Sequence, residues 1–304
     1  MNWKYKAFLQ KSFDMIPFGR NLNYFMQRNI TKNLPVDDNT FFQKFKFSFA
    51  QHKKIGQISS LDMKNIKSLE FGAGWDLLTP LSYYMLAVKE QIVIDLFHNM
   101  KTDLINNSIQ RFVENKSELE KKHSLLLRDI PDKTISGYED LNDNFGIKYM
   151  APVNAAKTGF EDNSFDYITS LSTLEHVPES EINGILNECY RILKPGGVLS
   201  CIVDLRDHYS YFDQSISIYN FLKYSDKQWK LYNHDLQYQN RLRNSDYKDI
   251  VNSTKFRIAE YNISECDSVE KEQLENLALN DKYINNSIDD MGIKEIWMLL
   301  VKDK

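Results

Sequence analysis

Along residues 67–203, short apolar runs alternate with longer amphipathic stretches. Lys67–Phe71, Gln91–Asp95, Ile147–Ala151, Phe165–Leu171 and Val198–Val203 are brief and rich in branched or aromatic side chains, which predicts strands. Leu77–Val88, Leu104–Leu127 and Glu179–Leu193 predict helices between them. Ile130-Pro131 closes the second helix, and Lys194-Pro195-Gly196-Gly197 supplies a stop and a turn after the third. This alternation predicts an α/β fold with a largely parallel sheet. Lys255–Ile263 and Ile293–Val301 read as two further strands, around a polar and partly helical segment from Ser264 to Gly292. Upstream, residues 1–30 read as helix broken at Pro17. In the connector 31–66, Phe41–Ala50 reads as another helix. Phe41, Phe42, Phe45, Phe47 and Phe49 make it aromatic enough to close one side of a cleft.

The chain therefore divides into an N-terminal helical cap, residues 1–55, and a main domain, residues 56–304, with an aromatic-rich insertion at 204–252. Apolar content of 42% and charged content of 26% are those of a soluble protein. A net charge of -4 argues against a nucleic-acid partner. The charge is uneven, however: residues 1–54 hold ten basic side chains and three acidic ones. Basic positions between Trp3, Phe8, Phe13, Phe18 and Phe25 suit a helix lying on an anionic membrane or a lipid-linked substrate, or, more simply, a cap packed on the domain with a solvated basic face. Cys189, Cys201 and Cys266 are odd in number and lack metal spacing, which predicts a reduced cytoplasmic protein. No apolar run approaches the ~18 residues of a membrane span, and Met1-Asn-Trp-Lys lacks a signal-peptide core. The expected location is the cytoplasm, peripheral to the inner membrane face if the N-terminal helix is lipid-seeking.

Candidate chemistry begins where the first strand meets Gly72-Ala73-Gly74. Gly72 opens backbone conformations closed to other residues, and Gly74 lets a ligand approach the backbone. The helix that follows would turn free N–H groups toward a polar or anionic group. Asp95 ends the second strand 25 positions beyond Glu70, near the ~20-residue spacing at which a carboxylate meets ribose hydroxyls. Trp75 and Asp76 stand where a dinucleotide fingerprint has its third glycine. Glu175-His176 follow the carboxyl end of another strand, where ligands sit in open parallel sheets.

Taken in order, Glu70-Phe71-Gly72-Ala73-Gly74, Asp95, Ser164-Phe165-Asp166, Leu174-Glu175-His176-Val177 and Leu193-Lys194-Pro195-Gly196-Gly197 resemble the class I S-adenosylmethionine-dependent methyltransferases, most closely the broad type-11 group. The likeness spans roughly residues 60–203. It implies a doubly wound, Rossmann-like sheet of seven strands, mostly parallel, with the last strand antiparallel. It implies S-adenosylmethionine as cofactor, with Glu70, Phe71, Gly72, Ala73 and Gly74 near the methionine part. Asp95 and Leu96 would then meet the ribose, Asn154 and Ala155 the adenine, and Ser170 and Leu171 the methionine from the neighbouring strand end. Glu70 as a helix-terminus partner and Asp95 as a strand cap remain the plain alternatives.

The insertion begins at the mouth of this cleft. Tyr209 and Tyr211 suit a sugar or planar ring, and Arg241 and Arg243 suit an anionic neighbour; the same aromatics could instead build a small core of their own. Histidine titrates near the pH useful for deprotonating a hydroxyl. His208, with Asp204 close in sequence, is the first candidate base and His176 the second. Asp204, Asp207 and His208 also form a loose metal-like cluster, but such bunching is common by chance and no metal is assigned. The expected function is methyl transfer to a small-molecule or glycan acceptor, most simply a hydroxyl, with a lipid-linked sugar among the candidates. A non-catalytic cofactor-binding module and a nicotinamide-dependent oxidoreductase are the competing readings.

Overall fold

Seven strands form one sheet in the order β3-β2-β1-β4-β5-β7-β6. They are β1 (Lys67–Phe71), β2 (Glu90–Ile94), β3 (Ile147–Met150), β4 (Phe165–Leu171), β5 (Leu193–Asp204), β6 (Arg257–Ser264) and β7 (Glu295–Val301). The computed structural model describes residues 2–59, 61, 63 and 65–304. Strands β1 to β5 pair in parallel, while β7 runs antiparallel to both its neighbours, β5 and β6. This is the expected doubly wound sheet with its last strand reversed. The Lys194–Gly197 turn lies inside β5 as a bulge, between the pairs Phe165↔Leu193 and Tyr167↔Val198.

The apolar character of the central strands follows from burial on both faces. On one side α7 (Glu179–Ile192) drives Ile182, Ile185, Leu186 and Cys189 against Leu69, Ile168 and Leu199. On the other, α3 (Asp38–Ile58), α4 (Leu78–Met85) and α5 (Thr102–His123) gather Phe41, Phe45, Leu81, Ile109 and Phe112 over Val93. Asp37 starts α3 by accepting from the Thr40 backbone N–H at 2.8 Å. Thus Phe41 and Phe45 are fully buried beside Phe112, and none of the five phenylalanines lines the ligand cavity described below. The expectation that this helix walls a cleft is corrected: its aromatic face is sheet-covering core. The helix also runs through residue 55, so the cap boundary expected there falls inside it.

Two shorter helices make the outer cap, α1 (Trp3–Asp14) and α2 (Gly19–Phe25), with the break at Met15–Phe18. Trp3 plugs into the insertion among Tyr209, Tyr224, Trp229 and Tyr232, at ring separations of 4.7 to 6.4 Å. Most of the insertion's aromatics therefore form a small core, completed by the N-terminal helix and by Leu274, Tyr283 and Met291. Hydrogen bonds between backbone and side chain hold this seat, from Trp3 N to Asp213 Oδ2 at 2.9 Å and from Lys11 Nζ to the Leu231 carbonyl at 3.1 Å.

Candidate active site

Cap, insertion and strand tips enclose one cavity of about 820 Å³ at the carboxyl ends of β1, β2 and β4. One end is built by the glycine loop. Gly72 (φ 80°) and Gly74 (φ 75°) both take left-handed backbone. A Cβ on Gly72 would lie 2.3 Å from Thr173 Oγ1, so the loop is drawn tight against the turn after β4. A Cβ on Gly74 would meet nothing within 4 Å, which leaves its backbone open to the cavity. The start of α4 is partly satisfied already: Asp76, paired with Lys44 at 3.0 Å, accepts from Leu78 N.

Asp95, just past β2, borders the cavity and is only 5% exposed. Tyr149 Oη donates to its Oδ2 at 3.2 Å. Burial raises its pKa to about 7 against the pull of the Tyr149 and Asn99 hydrogen bonds. Glu70 lies beneath the loop, buried, with Oε2 unpartnered. Burial first, and Asp95 second, push its pKa well above the usual range. A buried carboxyl oxygen without a partner is uncommon. These residues fit S-adenosylmethionine: the Asp95 carboxyl for its ribose hydroxyls and bare backbone at Gly72 and Gly74 for its amino-acid end.

Of the eleven residues expected at the cofactor, Phe71, Gly72, Gly74, Asp95, Leu96, Asn154 and Ala155 line the cavity. Glu70 stands just behind it. Ala73 faces the α3–α5 core instead. Ser170 is buried and spends its hydroxyl on the Phe71 carbonyl at 3.3 Å, and Leu171 pairs with Ile202 inside the sheet. Neither lines the cavity, because β4 ends one residue before the chain turns into it at Ser172 and Thr173. Asn154 Oδ1 accepts from Ala156 N at 2.8 Å, closing its own turn.

The other end of the cavity belongs to His176, His208 and Tyr211. His176 is open to the cavity yet ringed by protein; burial, then His208, lower its pKa to about 4. Its Nδ1 lies 2.6 Å from the Tyr238 carbonyl and so carries the proton. The two imidazoles stand edge to face, with centroids 4.9 Å apart. Asp204 sits behind them, held by Arg206 Nε at 2.8 Å and by the Tyr211 hydroxyl. Its Oδ2 is 3.4 Å from His208 Nε2, without hydrogen-bond geometry. Burial alone would raise Asp204, but His208 and Arg206 outweigh it and hold the carboxylate below its usual range.

Three expected acceptor residues are corrected. Tyr209 is core, donating to the Tyr232 carbonyl at 2.9 Å. Arg241 binds the Phe221 carbonyl at 2.9 Å, the Tyr224 carbonyl and Asp226. Arg243 is fully buried, donating to the carbonyls of Leu205, Met291 and Ile293 at 2.6 to 2.7 Å. Both guanidinium forks are occupied by backbone that would otherwise be buried unpaired. The lining that the spacing of motifs did not reveal includes Arg20, Trp75, Phe97, Thr173, Phe212 and Tyr238. Arg20 stacks over Phe97 at 3.5 Å, which ties α2 to the cavity rim.

A family model described as a methyltransferase domain matches residues 124–201. The match covers 78 of the 304 residues, and over that stretch the chain is similar to a methyltransferase domain. The ubiquinone/menaquinone biosynthesis C-methyltransferase UbiE of Rickettsia prowazekii (strain Madrid E) is 36% identical over 104 residues, 31% of this chain and 41% of that protein. A demethylmenaquinone methyltransferase of Listeria welshimeri is 51% identical over 49 residues, 16% of this chain and 20% of that protein. The chain thus spans about two fifths or less of the length of these curated relatives. Among solved structures, a geranyl diphosphate C-methyltransferase from Streptomyces coelicolor A3(2), with S-adenosylhomocysteine bound, aligns over 89% of this chain and 86% of that one, at 11% identity and a TM-score of 0.47.

Proposed function

We propose that the chain transfers the methyl group of S-adenosylmethionine to a hydroxyl of an apolar or planar small-molecule acceptor. The observation that carries this reading is the single cavity that joins the Asp95 and glycine-loop end to the His176 and His208 end. When bound, the cofactor supplies a methyl group already activated on a sulfonium. The protein has to align that group with a nucleophile and exclude water. Asp95 accepts from the ribose hydroxyls, the Gly72–Gly74 backbone holds the amino-acid end, and Glu70 supports that loop from behind. The acceptor hydroxyl lies against His176 and His208, with Asp204 behind, and loses its proton there.

Phe71, Ile94, Phe97, Val177, Ile185 and Phe212 make much of the wall apolar. With Arg241 and Arg243 engaged elsewhere, this lining supports a ring or prenyl-like acceptor better than a charged glycan. The relatives named for quinone biosynthesis favour the same class. A hydroxylated ring has two nucleophilic atoms once ionised, the oxygen and the adjacent carbon, so the product's position decides between O- and C-methylation.

We further propose that the cap rests on an anionic lipid surface on the cytoplasmic side. Phe18 is 80% and Phe8 74% exposed, with Tyr5, Met15, Phe25 and Ile30 exposed beside them, among the basic side chains of residues 1–32. No helix among the described residues is long and apolar enough to cross a membrane.

Incubation of the protein with methyl-labelled cofactor and a cell extract tests the activity. A labelled, extractable small molecule is expected. If S-adenosylhomocysteine binds and no acceptor is labelled, the chain is a binding module. Binding of NADH in its place would favour the oxidoreductase.

A further inference from the structure

At the acceptor end, two turns bring together three metal-ligating side chains. Glu175 and His176 come from the turn after β4 (Leu174–His176), and His208 from the turn after β5 (His208–Tyr211). One donor atom of each lies within 4.8 Å of the others. Glu175 is 1% exposed, and neither of its carboxylate oxygens has a hydrogen-bond partner. His208 is 9% exposed, and its Nε2, 3.4 Å from Asp204 Oδ2, makes no hydrogen bond. Native proteins seldom leave three such atoms unsatisfied in one spot. His176 supplies the complementary feature: its Nδ1–H is taken by the Tyr238 carbonyl at 2.6 Å, which leaves Nε2 with a free lone pair. A backbone carbonyl on the far nitrogen is the usual way in which a ligating imidazole is oriented.

We propose that Glu175, His176 and His208 bind one divalent first-row transition metal ion. Two imidazoles and a carboxylate, with no thiolate, suit zinc, manganese or iron(II) better than magnesium or calcium, which take oxygen ligands. His176 and His208 border the cavity, so the remaining coordination positions of the ion face the acceptor. This inference rests on the methyl-transfer reading and changes the part played by the histidines. With the ion in place they are ligands, and the acceptor hydroxyl coordinates the metal and loses its proton to water. Its oxygen then forms the bond to the methyl carbon as the sulfur–methyl bond breaks, leaving a neutral thioether. Atoms and charge balance with one proton released per turnover.

The full chain, stripped with chelator, is titrated with Zn²⁺ and Mn²⁺ by calorimetry and with Co²⁺ by visible absorption, Mg²⁺ serving as comparator. The expected result is one site per chain and a visible Co²⁺ band, with affinity falling at least tenfold in both Glu175→Gln and His208→Ala. S-adenosylhomocysteine should bind each variant as it binds the parent chain, which shows that the fold survives. Absence of saturable binding at one ion per chain, or binding unchanged in both variants, would overturn the proposal while leaving methyl transfer standing. Failure of S-adenosylhomocysteine to bind the parent chain would instead strike the methyl-transfer reading.

Discussion

Two residues carry most of what can be tested one side chain at a time. Asp95 is held at a pKa of about 7 by burial, with Tyr149 from β3 and Glu70 from β1 facing it. A carboxyl raised in the fold adds stability while protonated and loses it as pH rises from the ordinary carboxylate range through about 7. Ribose hydroxyls donate to the ionised form, so cofactor binding should draw its pKa down and release a proton. S-adenosylhomocysteine affinity is therefore expected to rise toward pH 7, by as much as about tenfold per unit, and then level off; calorimetry across pH 5.5–8 checks this. A flat profile would mean that Asp95 does not meet the ligand. Arg243 tests the opposite expectation. Replacing it with Met strands three buried carbonyls, at about 1–3 kcal/mol each, so the melting temperature should fall by several degrees while the KM for any acceptor stays put. Its sequence showed a fork fit for an anion; only the structure shows that backbone oxygens already fill the fork. The same ambiguity hid Tyr209 and Arg241, since a core aromatic and a ligand platform have the same composition.

At the scale of elements, strands were legible because burial on both faces demands continuous apolar runs, as in Phe165–Leu171. The glycine loop was legible for a different reason, since φ values of 80° and 75° leave few other residues possible. The aromatic helix α3 was misplaced because five phenylalanines signal a surface to cover without saying which one. The turn at Ser172–Thr173 carried no signal, and its place on the cavity follows only from where β4 ends. Helix α1 yields a prediction of its own. Trp3 is its main anchor in the insertion core, 3% exposed and in contact with four rings. Trp3→Ala should cost about 3 kcal/mol or more and loosen α1 before the sheet. Hydrogen exchange should report faster exchange in residues 3–14 and 219–232 and unchanged protection in β1 and β4. Uniform loss of protection would show instead that cap and sheet unfold as one unit.

For the whole molecule, the cap sets a basic, apolar surface beside the mouth of a largely apolar cavity, an arrangement that suits an acceptor drawn from a lipid phase. The chain should sediment with vesicles rich in phosphatidylglycerol at low salt, release as salt is raised, and ignore phosphatidylcholine; Phe8→Asp with Phe18→Asp should abolish the interaction without altering the fold. Equal indifference to both vesicles at low salt would leave the cap as packing alone. Fold class was readable because five motifs fell in register between about residues 60 and 203, whereas the acceptor was not, because its wall is assembled from Arg20, Phe97, Phe212 and Tyr238, far apart in sequence. The most direct measurement is a calorimetric titration of the parent chain and of Asp95→Ala with S-adenosylhomocysteine. One site per chain, weakened at least tenfold by the substitution and not competed by NADH, is the predicted result. No binding to the parent chain, or the same affinity in both, would contradict the placement of the nucleoside across the strand tips.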